Sequence, residues 1–274
     1  MRTSQPSDEM HDGGGGCAHA GLRVTGISHS FPAPGAGRFL RRGQSAPVLE
    51  DVSFETAPGT LTAIIGASGC GKSTLLRMLA GFIIPDSGGA SVAGADLIGR
   101  PGQVAYHPQS DALVPWLRVI DNAIIGAQIS GVPRPQAKGQ AHDLLDRFGL
   151  RGHESSWTDE LSGGMRQRVA LLRTFITPLP LLAFDEPLGA LDALTRRSLQ
   201  QWLLEITQLD GRPIVLVTHD IDEALLLADQ IIVMGSRPGR IVHAQQRPGV
   251  SQRLREYESG SDRPLARKLL SLLG

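Results

Sequence analysis

Gly66-Ala67-Ser68-Gly69-Cys70-Gly71-Lys72-Ser73 has the spacing G-x-x-x-x-G-K-S. Glycines so placed let successive backbone N–H groups turn inward as an anion-binding nest. Lys72 would reach the β- and γ-phosphates of a nucleotide, and Ser73 would hold Mg²⁺. Thr74 closes the stretch. The apolar run Leu61–Ile65 before it and the helical run from Thr74 to Ala80 after it supply the strand–loop–helix context the motif requires.

A second glycine motif lies downstream, Leu161-Ser162-Gly163-Gly164-Met165-Arg166-Gln167-Arg168. Gly163 and Gly164 expose backbone N–H groups, and Ser162 adds a hydroxyl donor. The helix expected from about Gly163 to Phe175 would aim its positive N-terminus at a γ-phosphate. In its own fold this tetrapeptide would stand far from residues 66–73, so it is expected to close on ATP held by a second copy of the chain.

Hydrolysis needs carboxylates. Asp185-Glu186 follows the apolar run 179–184, where ligands bind at the carboxyl ends of parallel strands. Asp185 suits Mg²⁺, directly or through water. Glu186 suits a general base that polarises the attacking water, an effect typically worth about 10²–10⁴-fold in rate. Gln109, in Tyr106-His107-Pro108-Gln109, offers an amide able to touch Mg²⁺ and that water. His219 ends the strand-like run Pro213–Val217 and can donate a hydrogen bond to the γ-phosphate.

These groups need a frame. Strand-like runs at 22–27, 61–65, 179–184, 213–217 and 231–234 alternate with helical periodicity at 121–129, 136–148, 163–175, 193–209 and 222–228. Such alternation implies βαβ units on a mostly parallel sheet. Gly149 is placed to stop the 136–148 helix. Residues 1–20 are polar and Gly-rich and are expected to form a disordered tail. Residues 32–47, with Arg38, Arg41 and Arg42, read as a long loop between two strands. The last segment, 249–274, ends in an amphipathic stretch, 265–273, expected to pack back on the domain rather than on a membrane.

Composition narrows the classes. Among 274 residues, 41% are hydrophobic, enough for a core, and 27 Lys+Arg balance 27 Asp+Glu. Zero net charge opposes nucleic-acid binding by bulk electrostatics. No apolar run approaches the roughly 18 residues that a membrane span needs. Nothing at the N-terminus reads as an export signal, and Cys17 lacks the apolar segment of a lipid anchor. Two cysteines make no disulfide framework, and a cytosolic chain is the expectation.

The order of phosphate loop, Gln109, LSGGMRQR, Asp185-Glu186-Pro187, Gly189-Ala190-Leu191-Asp192 and His219 resembles the nucleotide-binding subunit of an ATP-binding-cassette (ABC) transporter over about residues 21–245. The resemblance implies a P-loop NTPase (RecA-like) core with a mostly parallel sheet, an N-terminal antiparallel β subdomain and an α-helical signature subdomain inserted at about 110–164. The ABC ATPase domain would span 21–248, followed by a C-terminal helical extension. The resemblance further implies a homodimer that binds ATP and Mg²⁺ at its interface, with Ser162, Gly163 and Gly164 facing the partner's ATP and Asp192 coupling the two sites. It implies an aromatic ring on adenine, Phe31 or alternatively Phe39. Integral membrane permease subunits and, indirectly, an extracytoplasmic solute-binding protein would be partners, with the chain peripheral on the inner face of the membrane.

Leu113-Val114-Pro115-Trp116-Leu117, Gly189–Arg196 and Ser236-Arg237-Pro238-Gly239-Arg240-Ile241 are similar to the nitrate/sulfonate/taurine importer ATPases. Related importers of pyrimidine precursors share much of this pattern, and a soluble non-transport ABC ATPase is the alternative. Two places depart from the family. His107-Pro108 stands where Val-Phe is common before the glutamine, and Arg173-Thr174-Phe175-Ile176 replaces the usual Ala-Arg-Ala-Leu.

Overall fold

The computed structural model describes residues 21–32, 45–189 and 191–273. The expected tail 1–20 with Cys17, the alternative adenine partner Phe39, and the basic residues Arg38, Arg41 and Arg42 lie outside the described residues. In chain order the elements are β1 (Leu22–Pro32), β2 (Ser45–Thr56), β3 (Leu61–Gly66), α1 (Lys72–Leu79), β4 (Ser87–Val92), β5 (Ala95–Asp96), β6 (Ala105–His107), α2 (Val119–Ile129), α3 (Arg134–Leu145), α4 (Gly163–Ile176), β7 (Leu182–Asp185), α5 (Ala193–Leu209), β8 (Ile214–Thr218), α6 (Ile221–Leu227), β9 (Gln230–Met234), β10 (Ile241–Gln246), α7 (Val250–Ser259) and α8 (Arg263–Leu273).

They form two sheets. One has the order β2-β1-β4-β5 and is antiparallel throughout. The other has the order β10-β9-β3-β8-β7-β6. Its strands from β9 to β6 run parallel, and β10 joins antiparallel. This is the P-loop NTPase architecture the resemblance implied. Every residue of β3 is buried, as expected of a central parallel strand covered on both faces. Alternate side chains then serve two cores. Ile64, Val215, Val217 and Ile232 join α1 and the antiparallel sheet. Ala63, Ile65, Leu216 and Val233 join the helices on the other face.

Local chemistry sets the helix ends. Leu150 N–H donates to Leu145 C=O at 2.8 Å and Gly149 N–H to Asp146 C=O at 2.9 Å. Gly149 has φ +60°, so α3 ends in a glycine-dependent Schellman turn, as its position in the sequence suggested. Strand β7 begins three residues later than the apolar run does. Pro180 has no N–H to pair, and the carbonyls of Thr177 and Leu179 accept from Arg212 at 2.8 and 3.2 Å instead of joining a ladder.

In α2, buried Asn122 donates to the Val114 and Leu117 carbonyls, both at 3.0 Å, and accepts from Val114 N–H at 2.7 Å. One amide thereby fixes the loop that carries Trp116. At the C-terminus, α7 and α8 pack on α6. Fully buried Arg253 pairs with Asp229 and donates to the Leu227 carbonyl at 3.2 Å. Leu269 of α8 enters the helical core.

Helix α6 is capped by Asp220, whose Oδ1 accepts from Asp222 N–H at 2.9 Å and Glu223 N–H at 3.2 Å. Behind the cap, Glu223 is buried and its Oε1 has no hydrogen-bond partner. Burial pushes its carboxyl up to about 7, with Asp220 adding to the rise and Thr218, Arg196 and His219 opposing it. A raised carboxyl favours the protonated native state, so its contribution is complete below about 4.5 and is lost as pH rises to about 7. Glu223→Gln should therefore remove a stability slope on the order of 3 kcal/mol across that window. Its Tm should exceed that of the wild type by several degrees at about pH 8 and match it near about pH 5, in melting curves recorded across pH.

Candidate nucleotide-binding and hydrolytic site

Parallel pairing sets where the strands stop. Gly66 lies opposite Met234, Ile65 opposite Thr218, Asp185 opposite Val217 and His107 opposite Phe184. The loop after β3, Asp185-Glu186 at the end of β7, His219 after β8 and Gln109 after β6 therefore leave one carboxyl edge of the sheet.

Gly71, at φ +104°, makes the turn into α1. Lys72 is the first helical residue and is buried, with Nζ donating to the Gly66 carbonyl at 2.7 Å and the Ala67 carbonyl at 3.0 Å. Ser68 and Gly69 are exposed at the tip, Cys70 is buried beneath it, and Thr74 is half-buried in α1.

Ser73 donates to Asp185 Oδ1 at 2.9 Å, and the Tyr106 hydroxyl donates to Asp185 Oδ2 at 3.3 Å. Burial pushes the Asp185 carboxyl up, against the pull of those two hydrogen bonds. Burial and the adjacent Asp185 likewise push the Tyr106 phenol up. Among the described residues no group of three or more His, Cys, Asp or Glu side chains could hold a metal alone. Ser73 and Asp185 instead form a hard-oxygen pair beside the phosphate nest. That donor set suits Mg²⁺, which usually takes one or two carboxylates plus substrate phosphates.

Glu186 has φ +50°, a left-handed conformation that costs a non-glycine residue about 1–3 kcal/mol. Its N–H donates to the Val217 carbonyl at 2.9 Å. Gln109 Nε2 donates to Glu186 Oε2 at 3.2 Å, and His219 Nδ1 lies 3.3 Å from the same oxygen. The structure thus brings Ser73, Asp185, Glu186, Gln109 and His219 together.

Residues 162–164 stand apart from this group. Ser162 caps α4 by accepting from Met165 N–H at 3.3 Å, and Gly163 and Gly164 open that helix. None of the hydrogen bonds among the described residues joins them to residues 66–74. Asp192 caps α5, its Oδ1 accepting from Thr195 N–H at 3.0 Å, and the Thr195 hydrogen bonds hold its carboxyl low. Phe31 is the penultimate residue of β1, opposite Ala46 and partly exposed, with its ring edge-on to His29 at 4.7 Å.

Several contributors escaped sequence reasoning. The segment Arg237–Gly239 forms an outer wall to the phosphate loop. Arg237 Nε donates to the Gly69 carbonyl at 3.3 Å, Gly239 N–H donates to Val48 C=O at 2.8 Å, and Gly239 C=O accepts from Glu50 N–H at 3.1 Å. Arg166 and Arg173 of α4 grip the chain just after Gln109. Arg166 pairs with Asp111 at 3.0 Å, and Arg173 donates to the carbonyls of Ala112 at 2.8 Å and Asp111 at 2.9 Å. The sequence signal for these was that 161–168, 236–241 and 173–176 each belonged to a recognisable pattern or a departure from one.

Phe82, Ile84, Trp116 and Ile129 are exposed, Trp116 by 75% and Ile129 by 81%.

The ABC transporter family model matches residues 49–189. The taurine import ATP-binding protein TauB of Burkholderia pseudomallei (strain 1710b) is 46% identical over 202 residues, 74% of this chain and 77% of that protein. TauB of Pseudomonas aeruginosa (strain UCBPP-PA14) is 43% identical over 204 residues, covering 74% of this chain and 78% of that protein. A solved dimer of the ATP-binding cassette MJ0796, in a post-hydrolysis state bound to ADP and Pi, shares the fold. Its TM-score is 0.72 at 22% identity, over 83% of this chain and 99% of that one.

A Cβ added at Gly239 would lie 2.0 Å from the Cys70 carbonyl oxygen. Backbone has to move, and the phosphate nest is the backbone in question. Gly239→Ala should weaken equilibrium ATP binding at least about tenfold, an effect of about 1.4 kcal/mol, measured by titration calorimetry.

Proposed function

This chain belongs to the ABC transporter family, and from that premise we propose that it is the ATP-hydrolysing subunit of a membrane importer for a small sulfonate or similar anion. The observation that carries the hydrolytic reading is the convergence of Gln109 and His219 on one oxygen of Glu186, beside the Ser73–Asp185 pair. The cargo class is supported by the import proteins named TauB that this chain resembles.

The residues divide the work. Backbone N–H groups of Gly66–Ser73 cradle the phosphates, Lys72 neutralises them, and Thr74 begins the helix that faces them. Ser73 and Asp185, with the Gln109 amide, would hold Mg²⁺, which when bound neutralises charge across the β- and γ-phosphate oxygens. Glu186 accepts the proton of the attacking water. His219 and Gln109 hold the Glu186 carboxylate in position from two sides. Phe31 would stack on adenine.

Ser162, Gly163 and Gly164 belong to a different part of the chain, so each site is completed by the partner's signature, with Asp192 near the join. A homodimer with two active sites follows.

Among the described residues no helix is long and apolar enough to cross a membrane. The import ATP-binding role named for its relatives supports separate permease subunits, and we assign the exposed side chains of Trp116, Phe82, Ile84 and Ile129 to the surface that meets them. The chain would act on the cytoplasmic face, with a solute-binding protein delivering cargo on the other side.

Glu186→Gln tests the central assignment. Its ATP–Mg²⁺ affinity should equal that of the wild type while steady-state phosphate release falls at least about 10²-fold. Turnover at the wild-type rate would remove Glu186 from its role.

A further inference from the structure

His107 is completely buried at the end of β6, two residues before Gln109. Its partners come from one face of α4, the helix that begins with the signature. Gln167 Nε2 lies 3.1 Å from His107 Nε2, and Thr174 Oγ1 lies 3.4 Å from His107 Nδ1. Gln167 and Thr174 are two turns apart on that helix. The same Gln167 amide donates to the Pro187 carbonyl at 2.9 Å, and Pro187 directly follows Glu186.

The donors and acceptors close in only one arrangement. A primary amide nitrogen carries two protons and no acceptor lone pair. One proton goes to the Pro187 carbonyl, and the other requires an unprotonated His107 Nε2. His107 is therefore neutral, with its proton on Nδ1 directed at Thr174 Oγ1. The Thr174 hydroxyl itself donates to the Ala170 carbonyl at 3.0 Å. Turning the Gln167 amide over would set its oxygen against the Pro187 carbonyl.

The consequence falls on Glu186. Its backbone is held in a left-handed conformation by a bond on each side. Its own N–H is fixed by Val217 of β8, and the next carbonyl is fixed by Gln167 of α4. We propose that Gln167, oriented by His107, is a positioning residue that holds the Glu186 backbone and couples the signature helix mechanically to the hydrolytic carboxylate. The two departures from the family pattern are then one device. His107 replaces an apolar residue beside the glutamine strand, and Thr174 supplies the hydroxyl that satisfies it. The neighbouring Arg173 clamps the carbonyls of Asp111 and Ala112 from the same helix. Motion of α4 on meeting a second copy's ATP would reach Glu186 and Gln109 through hydrogen bonds rather than through loose packing. The inference rests on Glu186 being the general base.

The test compares full-length Gln167→Leu, His107→Phe and His107→Gln with the wild type and with Glu186→Gln. Gln167→Leu and His107→Phe fill the space without the donor or the acceptor, and His107→Gln keeps an acceptor for Gln167. Expected are a fall in kcat of about tenfold or more for the first two, near-unchanged ATP Kd, and recovery of most of the rate in His107→Gln. Imidazole ¹⁵N shifts should show His107 as the neutral Nδ1–H tautomer at neutral pH.

Equal rates in His107→Phe and His107→Gln would reduce His107 to packing and overturn the proposal, as would an Nε2–H tautomer. If Gln167→Leu does not fold, the His107 pair and the spectrum still decide. Wild-type turnover in Glu186→Gln would remove the premise. An inactive Glu186→Gln beside a fully active Gln167→Leu would overturn the positioning role alone.

Discussion

The hydrogen-bond register of the parallel sheet is the constraint on which the rest depends. Because β3, β8, β7 and β6 pair in parallel, each ending within one residue of its neighbour, four loops emerge close to one level. That level is where a phosphate nest, two carboxylates, an amide and an imidazole meet. Side-chain alternation is strict in strands, so a one-residue slip of β7 would turn Asp185 away from Ser73. The buried apolar strands are therefore as much part of the site as its polar groups. Ile64 and Val217 anchor the sheet to α1, while Ile65 and Leu216 anchor it to the helical side.

Two kinds of polar group are placed on this frame. Those facing ligand chemistry sit at loop starts and remain at least partly accessible: Gln109, Glu186 and His219 share one cluster of bonds at the surface. Those that hold the frame are buried and nearly saturated, as unsatisfied buried groups are costly. Asn122 fixes the Trp116 loop, Arg253 fixes the C-terminal helices, and Gln167 with His107 ties α4 to the chain beside Glu186. The distinction separates residues exposed at the sheet edge from residues that decide where those residues are. Pro187 joins the two sets, following Glu186 and accepting from Gln167.

Legibility in the sequence followed the same division. The turn at 66–71 and the helix start at Gly163 were readable because glycine spacing marks both. Asp185 and Glu186 were readable because a continuous apolar run ended just before them. Gly149 was readable as a helix stop, and the structure shows the Schellman turn it makes. Strand β10, with half-buried and exposed residues in alternation and no run of apolar residues, escaped detection, as did the short β5. The wall at Gly239 was unreadable because its role depends on a contact with Cys70 far away in sequence. His107 was visible only as an oddity. Its meaning needed Thr174 and Gln167 beside it, and no spacing rule connects position 107 to a helix more than 50 residues later.

One proposed feature needs more than a single copy of the chain: the signature at 162–164 would complete a second copy's ATP site. The most direct measurement is the molar mass of the Glu186→Gln chain by light scattering, with and without ATP–Mg²⁺. The account predicts the mass of one chain without nucleotide and twice that mass with it. The mass of one chain at saturating ATP–Mg²⁺, where binding is independently verified, would contradict it.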